Sequence, residues 1–172
     1  PAPFGEPVKV GELSDASIDE ASGIAPSRLR DDVLWVVNDG GNGPRLFAVD
    51  TTGKALAWFH VEGARNVDWE DLASFVKDER SYLLIADVGD NDAGRKNCAL
   101  YLVKEPNIGD ERESNFVVVE KRIAFVYEDG PRDCESVAVD AANRRVLLLS
   151  KRQRIPVLYS LDLETDVGDG FA

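Results

Sequence analysis

Histidine occurs once, at position 60, cysteine twice, at positions 98 and 134, and methionine not at all. With a single histidine there is no HExxH pair, and His60 falls on an expected outer strand beside Trp58 and Phe59, which argues against a Ser-His-Asp triad. GxSxG and P-loop motifs are also missing. Two cysteines are too few for a disulfide framework, and neither lies in a CxxC pair, which excludes the usual zinc and thioredoxin-like arrangements. One optional disulfide is the most they allow, and it would require Cα atoms within ~7 Å. No apolar run is long enough for a membrane span. The absence of an initiator methionine, with the Pro-rich start Pro1-Ala2-Pro3-Phe4-Gly5-Glu6-Pro7, leads us to expect a removed signal peptide and an exported, secreted or periplasmic, protein. Basic residues are outnumbered 20 to 32, for a net charge of −12, so nucleic acid and anionic lipid are poor partners and cations good ones. The same acidity also suits a surface charged for solubility.

What the chain does have is repetition. Ser22-Gly23-Ile24-Ala25, Leu34-Trp35-Val36-Val37-Asn38 and Leu46-Phe47-Ala48-Val49-Asp50 form a first set. The second is Glu70-Asp71-Leu72-Ala73, Leu83-Leu84-Ile85-Ala86-Asp87 and Leu100-Tyr101-Leu102-Val103-Lys104, and the third Glu135-Ser136-Val137-Ala138, Val146-Leu147-Leu148-Leu149-Ser150 and Leu158-Tyr159-Ser160-Leu161-Asp162. Asn38 and Leu46 are as far apart as Ser150 and Leu158. Each segment is short, rich in branched and aromatic residues and bounded by Gly, Asp, Asn or Pro, which marks strands. A fourth strand is expected at Leu56–Val61 in the first unit and Ile123–Tyr127 in the second, with Phe116–Val119 as an added strand.

The unit is thus a four-stranded meander, and the predicted fold is an all-β propeller with about three blades present. Residues 1–172 form one domain or fragment, with blades at 20–62 and 68–128 and an incomplete blade at 133–165. Residues 8–13 supply an outer strand of a preceding blade, for twelve strands in all. Three blades are too few for a ring, so either the rest of a longer chain or a second copy is needed to close it. Trp35, Trp69, Phe47, Tyr101 and Tyr159 are expected to pack between blades.

In such a meander the loop entering each innermost strand and the loop joining the second strand to the third emerge on one face. That face gathers the oxygen ligands a hard divalent cation requires, with Asn38, Asp68, Glu70, Asp87 and Glu135 as the expected metal ligands and calcium as the expected ion. Asp39, Asn42, Asp90, Asn91, Arg95, Lys151 and Arg154 are the expected ligand-binding residues around it. The Asp87 to Asp92 stretch is not an EF-hand, because Cys98 stands where that motif places its closing glutamate. Asp, Asn and Gly are also what tight turns prefer, so the pattern has a purely conformational explanation as well.

Ser22-Gly23-Ile24-Ala25, Asn38-Asp39-Gly40-Gly41-Asn42, Asp68-Trp69-Glu70-Asp71, Asp87-Val88-Gly89-Asp90-Asn91 with Arg95, Glu105-Pro106 and Glu135-Ser136-Val137-Ala138 resemble a largely uncharacterised group of exported bacterial proteins with six-bladed, TolB-like propellers. More distantly the chain is similar to gluconolactonase-type and phytase-type propellers, whose resemblance implies a divalent metal at the channel mouth. The function expected from residues and resemblance together is a calcium-binding channel face that presents loops to a small-molecule or protein ligand. A metal-dependent hydrolase of lactones or phosphate esters is the alternative, with Glu70, Glu135 or Asp87 as its base.

Overall fold

The computed structural model describes residues 5–109 and 115–165, so the middle of the Pro106–Glu120 insertion and both extreme termini lie outside the described residues. Among the described residues the chain is all-β and has no helix, and therefore none long and apolar enough to cross a membrane. Eleven strands form it: β1 Ala21–Pro26, β2 Val33–Asn38, β3 Arg45–Asp50, β4 Ala55–Glu62, β5 Trp69–Lys77, β6 Arg80–Asp87, β7 Cys98–Lys104, β8 Phe116–Phe125, β9 Cys134–Asp140, β10 Arg145–Ser150 and β11 Leu158–Asp162. β1 to β4 pair as an antiparallel meander, β5 to β8 as a second, and β9 to β11 as a three-stranded third. These are called units 1, 2 and 3 below.

Two features depart from the sequence expectation. Residues 8–13 form no regular strand; instead the segment hangs on the β3–β4 turn, where Glu12 N donates to Thr52 O at 3.1 Å and Ser14 N to Gly53 O at 3.0 Å. The two segments expected at Phe116–Val119 and Ile123–Tyr127 are one strand, β8, ending at Phe125. An outer strand needs only one buried face, so Glu120 and Arg122 sit on its exposed positions without interrupting it. The front of β8 then pairs in parallel with β4, His60 opposite Phe116 and Glu62 opposite Val118, which joins units 1 and 2 into one eight-stranded sheet in the order β1-β2-β3-β4-β8-β7-β6-β5.

The interiors of β2 (Val33–Val37) and β6 (Tyr82–Ala86) are continuous apolar runs because both of their faces are covered. On β2, Trp35 and Val37 enter a core shared with Leu83, Ile85 and Tyr101 of unit 2. On β6, Leu84 and Ala86 face the other way, into a second core with Val146 and Leu148 of unit 3. Of the expected packing aromatics, Trp35, Trp69 and Tyr101 belong to the first core, Phe47 to a small third cluster with Ile18 and Val36, and Tyr159 borders the second. His60 is exposed on β4, as its outer-strand placement requires.

One charged side chain is buried inside this apolar packing. Glu105, just past β7, accepts from Trp35 Nε1 at 2.8 Å, from the Ser27 hydroxyl and from Arg28 N at 3.0 Å. The Arg28 guanidinium in turn donates to Ser74 O at 3.0 Å, so the β1–β2 turn of unit 1 is fixed to unit 2. Removing the acceptor would leave buried donors without partners, at about 1–3 kcal/mol for each group. Glu105→Ala is therefore expected to destabilise the fold by about 3 kcal/mol in a urea melt, while Glu62→Ala on the exposed end of β4 changes the midpoint little. Equal midpoints for the two variants would show that Glu105 does not tie the units together.

Candidate metal centre

Each unit closes the same edge in the same way, through a backbone hydrogen bond from the loop after its second strand to the loop before its first. Asp39 N donates to Glu20 O at 2.8 Å, Val88 N to Asp68 O at 3.1 Å, and Lys151 N to Asp133 O at 2.8 Å. Neighbouring units are then linked across that edge. Asn66 Nδ2 of the loop entering unit 2 donates to Asn38 O and Asp39 O at 3.0 and 2.8 Å, and Asp90 N of unit 2 donates to the Asp133 carboxylate of unit 3 at 3.0 Å.

This linkage brings together carboxylates that are far apart in sequence. Asp39, Asp68 and Glu70 can place one oxygen each within 4.8 Å of one another, and so can Glu70, Asp133 and Glu135. Glu70 belongs to both trios. It is only 7% exposed, and no hydrogen bond to its carboxylate is made by the described residues. Glycine makes the approach possible at Gly89, where a Cβ would stand 2.4 Å from Asp68 Oδ2 and 2.5 Å from Glu70 Oε1.

The two trios differ in how their charge is met. In the second, Lys151 Nζ bonds Glu135 at 2.6 Å and Arg152 pairs with Asp133. No ion pair from the described residues reaches the first, whose Asp39 and Asp68 are partly exposed at the floor of an open basin of about 410 Å³. Burial, reinforced by the charges of Glu135, Asp39, Asp68 and Asp133, pushes the Glu70 carboxyl up to about 8. Asp68 rises to about 6, again chiefly through burial and then through Asp39 beside it. Both shifts arise first from burial of the carboxyls and second from like charges beside them, and a bound cation opposes both.

No protein-family model matches the chain, and no curated protein matches it. The site therefore has to be read from its own atoms, beginning with the residues expected from sequence. Glu70, Asp68 and Glu135 are in the trios. Asp87 is not: it is fully buried behind them, accepting from Asp68 N at 3.0 Å and from Arg95 at 2.8 Å, so its charge is already met. Asn38 is outside both trios: its amide nitrogen donates to Ser17 O at 2.7 Å and to Asp19, while its Oδ1 is buried with no hydrogen-bond partner among the described residues. Asp39, expected as a ligand-binding residue, stands among the carboxylates themselves. Asp90 lines the basin, but its carboxylate is taken by Gly94 N and Arg95 N, and Asn91 on the basin rim accepts from Arg152. Arg95 lines it too, held by Asp87 and Gly89 O. Asn42 bonds Glu20 at the exposed edge, Lys151 serves as the counter-ion of Glu135, and Arg154 is exposed outside the trios. Asp133 and Arg152 were absent from the expected ligands; the signal for Asp133 was its place two residues before Glu135, as Asp68 stands before Glu70. The two cysteines are buried free thiols, both raised by burial, that of Cys98 to about 12.

These shifts fix a pH dependence for the metal-free protein. A carboxyl whose pKa is higher folded than unfolded stabilises the fold while both states are protonated, below pH 4, and that contribution fades as pH rises through 6 and 8. In chelator-treated protein the melting temperature is expected to fall between pH 5 and pH 8, and Glu70→Gln, which keeps the shape and removes the charge, is expected to flatten the upper part of that fall. A pH-independent melt over this range in the parent protein would show that the Asp68 and Glu70 carboxyls are not raised by their burial and their acidic neighbours.

Proposed function

We propose that the chain is part of an exported β-propeller resembling the TolB-like group, with units 1 to 3 as successive blades, and that its acidic edge binds a divalent cation, calcium, beside a basin that receives a small-molecule or protein ligand. The observation that carries the reading is Glu70, buried, without a hydrogen-bond donor and shared by two carboxylate trios. Several hard oxygens from two neighbouring units, one of them on a largely buried side chain, suit calcium, which accepts irregular oxygen shells. An exported setting, secreted or periplasmic, supplies that ion freely.

The blade reading is supported by the repeated antiparallel meanders and by inner strands that pack without pairing, β1 beside β5 and β5 beside β9. The ion belongs in the Asp39–Asp68–Glu70 trio, since Lys151 and Arg152 already neutralise the other. The open basin in front of that trio also favours a second reading, in which a water or ester oxygen reaches the ion and the chain hydrolyses lactones or phosphate esters.

Calorimetric titration with calcium is expected to show binding to the parent protein, and saturating calcium to raise its melting temperature, as a ligand of the folded state must. At a hundredfold excess over Kd the gain is about 2.7 kcal/mol. Glu70→Gln is expected to lose both effects, whereas Asp87→Asn keeps binding in outline because Asp87 does not reach the trio. A melting temperature indifferent to millimolar calcium and to chelator would end the metal reading. Turnover of a lactone or phosphate-ester panel that chelator abolishes would favour the hydrolase over the binding module.

A further inference from the structure

The loop joining the second strand to the third is longest in unit 2, where it covers 88–97 against 39–44 in unit 1 and 151–157 in unit 3. It is folded on Asp90: Ala93 N donates to Asp90 O at 2.9 Å, and the Asp90 carboxylate accepts from Gly94 N at 2.8 Å and Arg95 N at 3.0 Å. One side of this loop borders the acidic basin. The other borders a second cavity, of about 230 Å³, and Asp90 and Arg95 line both. The end of β8 and the segment entering unit 3 complete its wall, so the cavity lies at the junction of units 2 and 3.

Its lining has two characters. Phe125 and Tyr127 are buried and meet edge to face, ring centroids 5.3 Å apart, with the buried Cys98 beside them in the wall; the Tyr127 hydroxyl lies by the Cys134 thiol, which leaves ring surface for the cavity. The charged part is basic. Arg95 is held by Asp87 and Gly89 O, and Arg132 by Asp129 and by Pro131 O at 2.8 Å, so both guanidinium groups are fixed. Lys96 is exposed, and no acceptor among the described residues holds it. Asp90 is the single carboxylate on this wall among the described residues, and the two loop amides already take it. In a chain of net charge −12, three cations against one occupied carboxylate make this cavity a place for an anion, and the rings favour one with a flat apolar body.

We propose that this cavity binds a small aromatic carboxylate, its ring against Phe125 and Tyr127 and its carboxylate on Lys96 at the mouth, in the field of Arg95 and Arg132. The ammonium supplies a charge-assisted hydrogen bond, and the ring loses water against the two buried aromatics. A volume below the ~300–1,000 Å³ of sites for drug-sized ligands limits the occupant to about one ring. No member of the carboxylate trios lines the cavity, so the site is independent of the proposed cation, and chelator-treated protein tests it separately.

Phenylacetate is the probe, titrated into chelator-treated protein and followed by calorimetry and by backbone amide chemical shifts. A dissociation constant of about 1 mM is expected for so small a ligand, with the shifts concentrated at 94–98, 125–127 and 130–132. Phenylacetamide, which keeps the ring without the charge, and inorganic phosphate, which keeps charge without the ring, are each expected to bind roughly tenfold more weakly or not at all. Lys96→Glu and Val126→Glu, both at exposed positions on the wall, are each expected to raise the phenylacetate constant roughly tenfold. Far-ultraviolet circular dichroism and the melting temperature of both variants are expected to match the parent protein, which separates lost binding from lost folding. Absence of shifts at tens of millimolar phenylacetate, shifts confined to other segments, equal binding of phenylacetamide or phosphate, or binding that neither substitution weakens would each overturn the proposal.

Discussion

The structure depends on how closely the inner strands approach one another. A Cβ on Gly23 of β1 would lie 2.7 Å from the Cα of Asp71 on β5, a distance that no side chain tolerates, so the residue there has to be glycine. No ladder of backbone hydrogen bonds joins β1 to β5 or β5 to β9. The strands are held instead by packing and by single side-chain bonds, Ser22 Oγ to Trp69 O at 2.7 Å and Val137 N to the Asp71 carboxylate at 2.8 Å. Because the inner strands converge, the loops that precede them converge, and with them Asp68, Glu70, Asp133 and Glu135. A bulkier residue at position 23 would disturb the acidic edge without touching a carboxylate.

The same closeness explains why charge is confined to edges. Both faces of β2 and β6 are covered, which leaves their polar side chains at the strand ends, where they meet either water or a partner. Glu105 meets Trp35, Ser27 and Arg28, and Asp87 meets Arg95 and Asp68 N. Each is buried and fully answered from within the chain. Glu70 is somewhat less buried, at 7% exposed against 2% for Glu105 and 1% for Asp87, and accepts no hydrogen bond from the described residues, and that contrast sets the acidic edge apart from a well-paired network.

Repetition in the sequence was enough to locate all eleven strands, because covering both faces demands uninterrupted runs of Val, Leu and Ile. It also placed Glu70, Asp68 and Glu135 on one edge, since equivalent positions in stacked units become neighbours. Three things were out of its reach. Residues 8–13 carry a strand-like pattern, but a strand needs a partner with free backbone groups, and the segment finds only the Thr52–Gly53 turn among the described residues. The parallel pairing of β4 with β8 depends on where the outer ends of two units meet, which no periodicity encodes. Asp87 has the right chemistry for a ligand but is claimed by Arg95, and Asn38 stands outside both trios, its nitrogen held by Ser17 O and its Oδ1 buried without a partner among the described residues.

Glu70 couples the two trios physically. Its raised pKa comes first from burial and then from the negative charges on both sides, of which Lys151 and Arg152 relieve only those of Glu135 and Asp133. A cation held by Asp39, Asp68 and Glu70 would draw the shared carboxylate toward its ionised form and lower the field felt at the other trio. Weaker attraction there would loosen Lys151 and Arg152, and Arg152 also holds Asn91 at the rim of the basin. Linkage would make the effect reciprocal: whatever loosened Arg152 from Asp133 would change the affinity of the first trio for such a cation by the same factor. On the proposed reading, the basic run 151–154 would be the element through which a cation on the acidic edge is felt at the surface of the third unit.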